Sequence, residues 1–340
     1  MFPDERLPMS RAIQLDEPGQ LRVVPTSPAS PAAGEALVDV AWSGICGSDL
    51  ELHAGTRPAE FARYPVVPGH EWSGTVRSVG PDVDPGLVGR KAVGEGFRYC
   101  GRCQPCLDGD TTLCTDDYDE TGFTRPGAWS DHLLLPARLL HVLHDTADLR
   151  AAALLEPASC MAAAGLKAAV QPGETAAVVG GGTLGLLVVQ FLTAAGAKVT
   201  VVDPREERAE PAKRCGAGAF TTPDRVSGGF DVVVEAAGAS GTGRLAVALT
   251  RRGGRVVLTG MAHEDAEPLP PADLVAAAIT VHTVFGASSK AWSHAVRAFS
   301  AGLLDPEPLI THEYPLEDAE RALDVLADPR VPTGKVLLHP

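Results

Sequence analysis

Short apolar runs separated by glycine- and proline-rich turns divide the chain into three zones. Up to about Leu149 the runs are β-like: EALVDVAWSGI, WSGTVRSVG and WSDHLLLP, with the turn signals DEPGQ, ARYPVVPGH and GPDVDPG between them. Such runs predict strands, here in an irregular, mostly β domain. From about Arg150 to Gly286 the pattern changes. TAAVVG, KVTVVD, FDVVVEAAG, GGRVVLTG and AAITVHTVFG are continuous apolar runs that alternate with helical stretches. Strands read this way when helices cover both faces of a parallel sheet, so the zone predicts a doubly wound α/β domain of βαβ units. From about Ala287 mixed sequence resumes and closes on GKVLLHP, which fits a strand returning to the first domain. The predicted organisation is one domain made of 1–150 and 287–340, with a second, 151–286, inserted in it.

Composition narrows the class. The 340 residues, 45% hydrophobic and 21% charged, suffice for two packed domains without disulfide staples and exclude general disorder. A formal net charge of -14 argues against nucleic-acid and anionic-lipid surfaces, both of which need clustered Lys and Arg. No apolar stretch reaches the roughly 18 residues of a membrane span. The N-terminal segment carries Asp and Glu and lacks a continuous apolar core, so no signal peptide is expected either. The expectation is a cytoplasmic protein.

Four of the seven cysteines, Cys100, Cys103, Cys106 and Cys114, follow the spacing C-x2-C-x2-C-x7-C. In a reducing compartment this pattern suits a closed, tetrahedral structural zinc site. Gly101 and Gly109 permit the turns that bring the sulfurs together. The acidic neighbours Asp108, Asp110, Asp116, Asp117, Asp119 and Glu120 argue against a finger that grips phosphate. Cys160 and Cys215 sit in helix-like sequence and read as small buried side chains.

Residues 175–185 read TAAVVGGGTLG. Gly180, Gly182 and Gly185 form G-x-G-x-x-G between a strand-like run and a helix-like run, with Thr183 and Leu184 opening the helix. The first glycine makes the turn, the second lets backbone approach a pyrophosphate, and the third allows close helix–strand packing. The helix N-terminus offers free N–H groups to phosphate. Asp203, 18 residues beyond Gly185, ends the next apolar run and suits the ribose hydroxyls of NAD. Arg205 and Arg208 follow closely and keep NADP open.

Cys46, His70, Glu71 and Glu156 are a donor set that suits zinc with an open position. Taken singly, each also fits a structural role: a buried thiol, a core histidine, a helix-start carboxylate. The chain resembles the zinc-containing alcohol dehydrogenases, the medium-chain dehydrogenase/reductase family. GHEWSGTVRSVGPDV fits that family's G-H-E-x2-G-x5-G-x2-V signature through Gly69, His70, Glu71, Gly74, Gly80 and Val83. GICGSD, the four-cysteine lobe and GGGTLG appear in the family's order over nearly the whole chain.

The resemblance implies a GroES-like catalytic domain and a Rossmann domain. It implies that Cys46 and His70 are catalytic zinc ligands and that Glu156 is the carboxylate ligand of the polyol and threonine dehydrogenase branch. Glu71 then stands beside the metal, directly or through water. Asp49 orients the ligand histidine, Ser48 takes the substrate proton, and the four clustered cysteines hold structural zinc. Where many relatives have a histidine as proton exit, Glu51 stands here; Glu51, water or His53 then carries the proton. A dimer or tetramer is implied as well. The expected reaction is oxidation of a secondary alcohol with hydride transfer to NAD(P). The chain is also similar to the 2-deoxy-scyllo-inosamine dehydrogenases of aminocyclitol antibiotic pathways, with Glu51, Glu95, Asp116 or Asp119 as candidates for an acidic, amine-accepting pocket. The alternatives are a polyol (sorbitol-like) or L-threonine dehydrogenase, and a non-catalytic zinc- and nucleotide-binding protein.

Overall fold

The computed structural model describes residues 10–27, 29–261 and 267–340. They form two compact units: one runs to Glu156 and takes up the chain again at Ile310–Pro340, and the other is Pro157–Leu309. Residues 287–309 thus belong to the second unit, whereas the sequence pattern places them with the first. The reason is the amphipathic helix Ser289–Ser300, which buries Ala291, Trp292 and Ala295. Beyond it, Gln190 and Asp305 exchange hydrogen bonds within that unit, at 3.0 and 2.7 Å.

In the first unit, β1 (Ser10–Leu15) and β2 (Leu21–Thr26) form an antiparallel hairpin. β3 (Glu35–Ile45) pairs antiparallel with β4 (Glu71–Val79), which continues to β5 (Lys91–Gly94). β6 (His132–Pro136) lies on β3, and β7 (Leu140–Val142) on β5. Alternate positions of β3 and β4 turn inward, and Val38, Val40, Trp72, Val76, Leu133 and Leu135 make one core. Gly74 and Gly80 permit the close strand approach, since a Cβ there would lie 2.3 Å from the Asp39 carbonyl and 1.8 Å from the Ala32 carbonyl.

The second unit is a six-stranded, all-parallel sheet. Its strands are β8 (Thr175–Val179), β9 (Lys198–Val202), β10 (Ala219–Thr221), β11 (Phe230–Glu235), β12 (Thr250–Leu258) and β13 (Thr280–Thr283), in the order β10-β9-β8-β11-β12-β13. The order reverses beside β8, so the glycine turn after β8 stands at the topological switch point where such sheets bind ligands. Val178, Val201, Val232, Val233, Val234, Val256 and Val257 are buried, which accounts for the unbroken apolar runs.

The chain then returns to the first unit. β14 (Ile310–Pro315) pairs parallel with β15 (Lys335–His339), and β15 pairs antiparallel with β3. This brings Lys335 beside the functional end of β3. Among the described residues, no helix is long and apolar enough to cross a membrane.

Candidate active site and metal centres

β3 ends at Ile45 and the chain turns at once into the helix Gly47–Ala54, with Cys46 as its N-cap. Asp49 Oδ2 accepts the Cys46 N–H at 2.8 Å, closing the first turn, and Gly55 ends the helix in the left-handed region at φ 71°. His70 precedes β4. Gly69 before it has φ 98°, and a Cβ there would lie 2.4 Å from the Trp129 ring. The sharp backbone at Gly69 delivers His70 and Glu71 to the end of β3.

Ligand atoms of Cys46, His70 and Glu71 lie within 4.8 Å of one another, with His70 and Glu71 buried. Asp49 Oδ1 faces His70 Nδ1 at 3.6 Å, and both atoms are buried with no hydrogen bond. Burial opposes charge on His70, but the Asp49 carboxylate and the Cys46 sulfur outweigh it and raise the imidazole above its ordinary pKa. A cation ligated by the other ring nitrogen would supply the positive charge this pocket favours, leaving Nδ1–H for Asp49. The residues fit zinc.

Glu71 stands beside Cys46 and His70 as expected but is also tied to a lysine, and Glu156 stands apart from the three-residue group. Both oxygens of Glu71 stand 2.6 Å from Lys335 Nζ, which also donates to the Ile45 carbonyl at 3.1 Å. Glu71 is therefore half of a buried ion pair, and Gly44 makes room for it: a Cβ at Gly44 would fall 2.1 Å from Glu71 Oε2. Glu156, in the first turn of the helix Leu155–Ala168, is outside the 4.8 Å group. Its charge still acts on Lys335 and Glu120, so it belongs to the same electrostatic neighbourhood. Ser48 and Glu51 are half-buried on the short helix. The Nε2 atom of His53 is buried without a hydrogen-bond partner.

A second cluster adjoins His70, and sequence reasoning missed its centre. Glu120 is 5% exposed and its carboxylate is 3.5 Å from the Arg57 guanidinium. Burial raises the Glu120 carboxyl to about 7, against the pull of His70 and Arg57. Arg57 stacks 3.7 Å above Phe123, whose ring lies 4.7 Å from His70, and donates to the Tyr118 hydroxyl at 3.0 Å. Three of the four acidic residues expected to line an amine pocket are engaged elsewhere: Asp116 with Arg102, Asp119 with Arg125, and Glu95 with His141.

The lobe Cys100, Cys103, Cys106 and Cys114 converges as a four-sulfur group. Cys100 and Cys106 sulfurs are 4.0 Å apart and those of Cys103 and Cys114 3.9 Å. A zinc tetrahedron with ~2.3 Å bonds has edges of about 3.8 Å. Backbone N–H groups of Cys100, Arg102 and Cys103 point at sulfurs, as thiolates require. Gly101 and Gly109 sit at φ 72° and 90°. Cys215 is buried, and its thiol is pushed up to about 11 by burial.

In the second unit, Gly180 turns the chain at φ 105° after β8. Gly182 caps the helix Thr183–Ala194, which has no side-chain cap on its first N–H groups. A Cβ on Gly182 would meet nothing within 4 Å, whereas one on Gly185 would fall 1.9 Å from the Gly180 carbonyl. The turn is thus a backbone cradle, open at Gly182 and Thr183–Leu184, of the kind a pyrophosphate fills. Asp203 and Arg208 stand beside it: a Cβ at Gly181 would lie 3.5 Å from the Asp203 Cβ and 3.2 Å from the Arg208 Cβ. The carboxylate of Asp203, however, is not open, because Gly181 and Arg205 already donate to it.

Comparison with known proteins agrees with this layout. Residues 32–145 match the alcohol dehydrogenase GroES-like domain, and residues 183–301 match the zinc-binding dehydrogenase domain. An L-threonine 3-dehydrogenase of Streptomyces coelicolor is 33% identical over 319 residues, 90% of this chain and 92% of that protein. A sorbitol dehydrogenase of Bacillus subtilis is 29% identical over 322 residues, 90% of each. Among solved structures, an alcohol dehydrogenase of Escherichia coli CFT073 in complex with NADH superposes with a TM-score of 0.89 at 27% identity, covering 97% of this chain and 99% of that one.

Proposed function

The chain belongs to the zinc-containing alcohol dehydrogenases, and on that premise we propose that it oxidises a polyhydroxylated secondary alcohol, with an amino-cyclitol such as 2-deoxy-scyllo-inosamine, of aminocyclitol antibiotic biosynthesis, as the leading substrate. The class itself is plain: an oxidoreductase acting on CH–OH with zinc and NAD(P).

In this reading Cys46 and His70 hold the catalytic zinc, with Glu71 and Glu156 as the carboxylates available to complete the set. Bound zinc supplies a Lewis acid that acidifies a substrate hydroxyl, and bound NAD(P) supplies the hydride acceptor. The protein's own side chains do the rest. Asp49, fixed by its bond to the Cys46 N–H, orients His70. Ser48, one residue earlier on the same helix, receives the hydroxyl proton, and Glu51 hands it outward, with His53 as the other acceptor on that helix. Lys335 holds Glu71 and balances the negative charge of the thiolate and carboxylates.

The observation that carries the substrate class is the Arg57–Glu120–Tyr118 cluster beside His70. These groups already meet one another as polar partners, and a ligand placed against them must offer polar partners of its own. A hydrocarbon alcohol offers none; a ring bearing hydroxyls and an ammonium group offers several, with Glu120 as the carboxylate for the amine. L-Threonine is the second reading. It presents both an amine and a carboxylate to an oppositely charged pair, and the threonine dehydrogenase relative supports it. The protein is taken to act in the cytoplasm as a homo-oligomer.

The test is NADH or NADPH formation by zinc-quantified protein on amino-cyclitols, sorbitol-type polyols and L-threonine. Selective turnover of an amino-cyclitol supports the reading. Preference for sorbitol or L-threonine overturns the pathway assignment and keeps the chemistry.

A further inference from the structure

A cavity of about 280 Å³ lies inside the first unit, and Cys46, His70 and Glu71 take no part in its walls. That volume is close to the roughly 300 Å³ at which small-molecule sites begin. Ala12, Leu37, Val67, Pro126 and Leu133 give it apolar walls. Three of its wall residues can carry positive charge: Arg98, Arg125 and His132. Two of these are already matched. Arg125 Nε–H donates to Asp119 at 2.8 Å, and His132 Nδ1 stands 2.9 Å from Asp39 Oδ1.

Arg98 is not matched. Among the described residues its guanidinium has no carboxylate in ion-pair contact. Its Nε–H donates to the Thr121 hydroxyl at 3.3 Å and an Nη2–H to the Leu134 carbonyl at 3.4 Å. Both bonds are longer than the roughly 2.7–3.2 Å of ordinary N–H···O bonds, and both acceptors are neutral. Leu134 is itself a wall residue, so the contact sets the guanidinium at the edge of the cavity. Three of the five guanidinium donors remain. Asp119 and Glu35 act on Arg98 only from a distance. Asp119 is held by Arg125 and Thr124, and Glu35 Oε2 accepts the Ala32 N–H at 2.9 Å. Burial pushes the guanidinium below its ordinary pKa against the pull of these two acids.

A charge withdrawn from water is costly without a partner. The partner lacking here is an anion, and the apolar walls favour one that carries an apolar body. A carboxylate meets a guanidinium through two parallel N–H···O bonds. We propose that this cavity is a binding site for a small organic carboxylate, with Arg98 as its charge partner. The site is separate from the alcohol and cofactor sites and rests on no choice of alcohol. It also adjoins the turn that delivers His70. Gly127, a wall residue, donates its N–H to the Val67 carbonyl at 2.7 Å, and the next two N–H groups, of Ala128 and Trp129, donate to Gly69 and Pro68 at 2.8 and 2.9 Å. One strip of backbone therefore forms the cavity wall and clasps the residue before His70.

The experiment titrates benzoate, benzamide and inorganic phosphate into the zinc-loaded full-length protein by calorimetry, with no alcohol or cofactor present. Benzoate is expected to bind wild type about tenfold or more tightly than benzamide, which lacks the charge, and than phosphate, which lacks the apolar body. Arg98→Met keeps the aliphatic stem and should weaken benzoate about tenfold or more. Cys46→Ser should leave benzoate binding unchanged, whereas a carboxylate seated on the catalytic zinc would be lost with that metal. Hydrogen exchange of wild type should show benzoate slowing the amides of Gly127, Ala128 and Trp129, a readout that stands even if Arg98→Met fails to fold. Equal binding of benzoate and benzamide or of benzoate and phosphate, loss of benzoate binding in Cys46→Ser, retained binding in Arg98→Met, or protection confined to other segments overturns the proposal.

Discussion

Lys335 Nζ stands 2.6 Å from each oxygen of Glu71, a contact between residues 264 positions apart. The pair is buried, with side chains 7% and 0% exposed. Breaking one partner of a buried ion pair strands the other charge, at a cost of about 3–5 kcal/mol. Lys335→Met is therefore expected to destabilise the first unit by that order in urea unfolding and to lower the zinc content, because the unpaired Glu71 charge disturbs the buried pocket that places Cys46 and His70. Lys335→Arg should restore most of both. Unchanged stability and zinc content in Lys335→Met would contradict the role given to the pair.

The four-cysteine lobe predicts a second effect, separable from catalysis. Cys103→Ser should bring zinc from about two to about one per chain and lower the thermal midpoint by roughly 5–10 °C, since metal binding there is folding free energy. Elemental analysis with a melting curve checks it. Two zinc ions retained per chain would mean that this lobe holds none.

The glycine turn separates fold from cofactor binding. Gly185→Ala drives a Cβ to 1.9 Å from the Gly180 carbonyl, an overpacking expected to cost at least about 2 kcal/mol. Gly182→Ala meets nothing within 4 Å and has an ordinary φ of -79°. It should change stability by less than about 1 kcal/mol and weaken NADH binding about tenfold or more. Calorimetry and fluorescence titration on the two variants distinguish the effects, and equal loss of NADH binding without destabilisation in both would refute the division.

Glu120 ties stability to pH. Its carboxyl is raised to about 7 in the folded protein by burial, from an ordinary 4.5. The folded state thus holds a proton that the unfolded chain has released, and stability falls as pH rises from about 4.5 through 7. Glu120→Gln removes that loss. Its advantage over wild type should be near zero below pH 4.5 and grow to roughly 3 kcal/mol by pH 8.5. Unfolding free energies of both proteins across this range give the answer; a constant difference would mean Glu120 is ionised throughout.

Local patterns were legible in the sequence, and contacts between distant segments were not. The cysteine lobe and the glycine turn are each built from one short stretch, so spacing alone identifies them. The strand runs of the second zone are visible because burial on two faces leaves an unbroken apolar string, and those of the first because alternate positions turn inward. Lys335 was invisible because only the return of β15 along β3 brings it to Glu71. Glu120 looked like one acid among several, and its distinction is that the β-bridge between Phe97 and Glu120 carries it inward. Glu156 was expected as a metal ligand and lies outside the compact group, because its place depends on where the helix Leu155–Ala168 begins relative to β3. The helix Ser289–Ser300 was placed with the wrong unit because amphipathic periodicity shows that a helix packs, not on what. Asp203 was correctly seen beside the turn, but the side chain that fills its oxygens was not.

The central claim is that Cys46 and His70 hold a catalytic metal distinct from the lobe metal. The most direct test compares wild type with Cys46→Ser for zinc per chain, turnover of the best alcohol found, and NADH affinity. The account predicts a loss of one zinc and of about a thousandfold or more in kcat, ~4 kcal/mol, with NADH affinity and the lobe zinc retained. Wild-type turnover in a Cys46→Ser protein that has lost that zinc would contradict it.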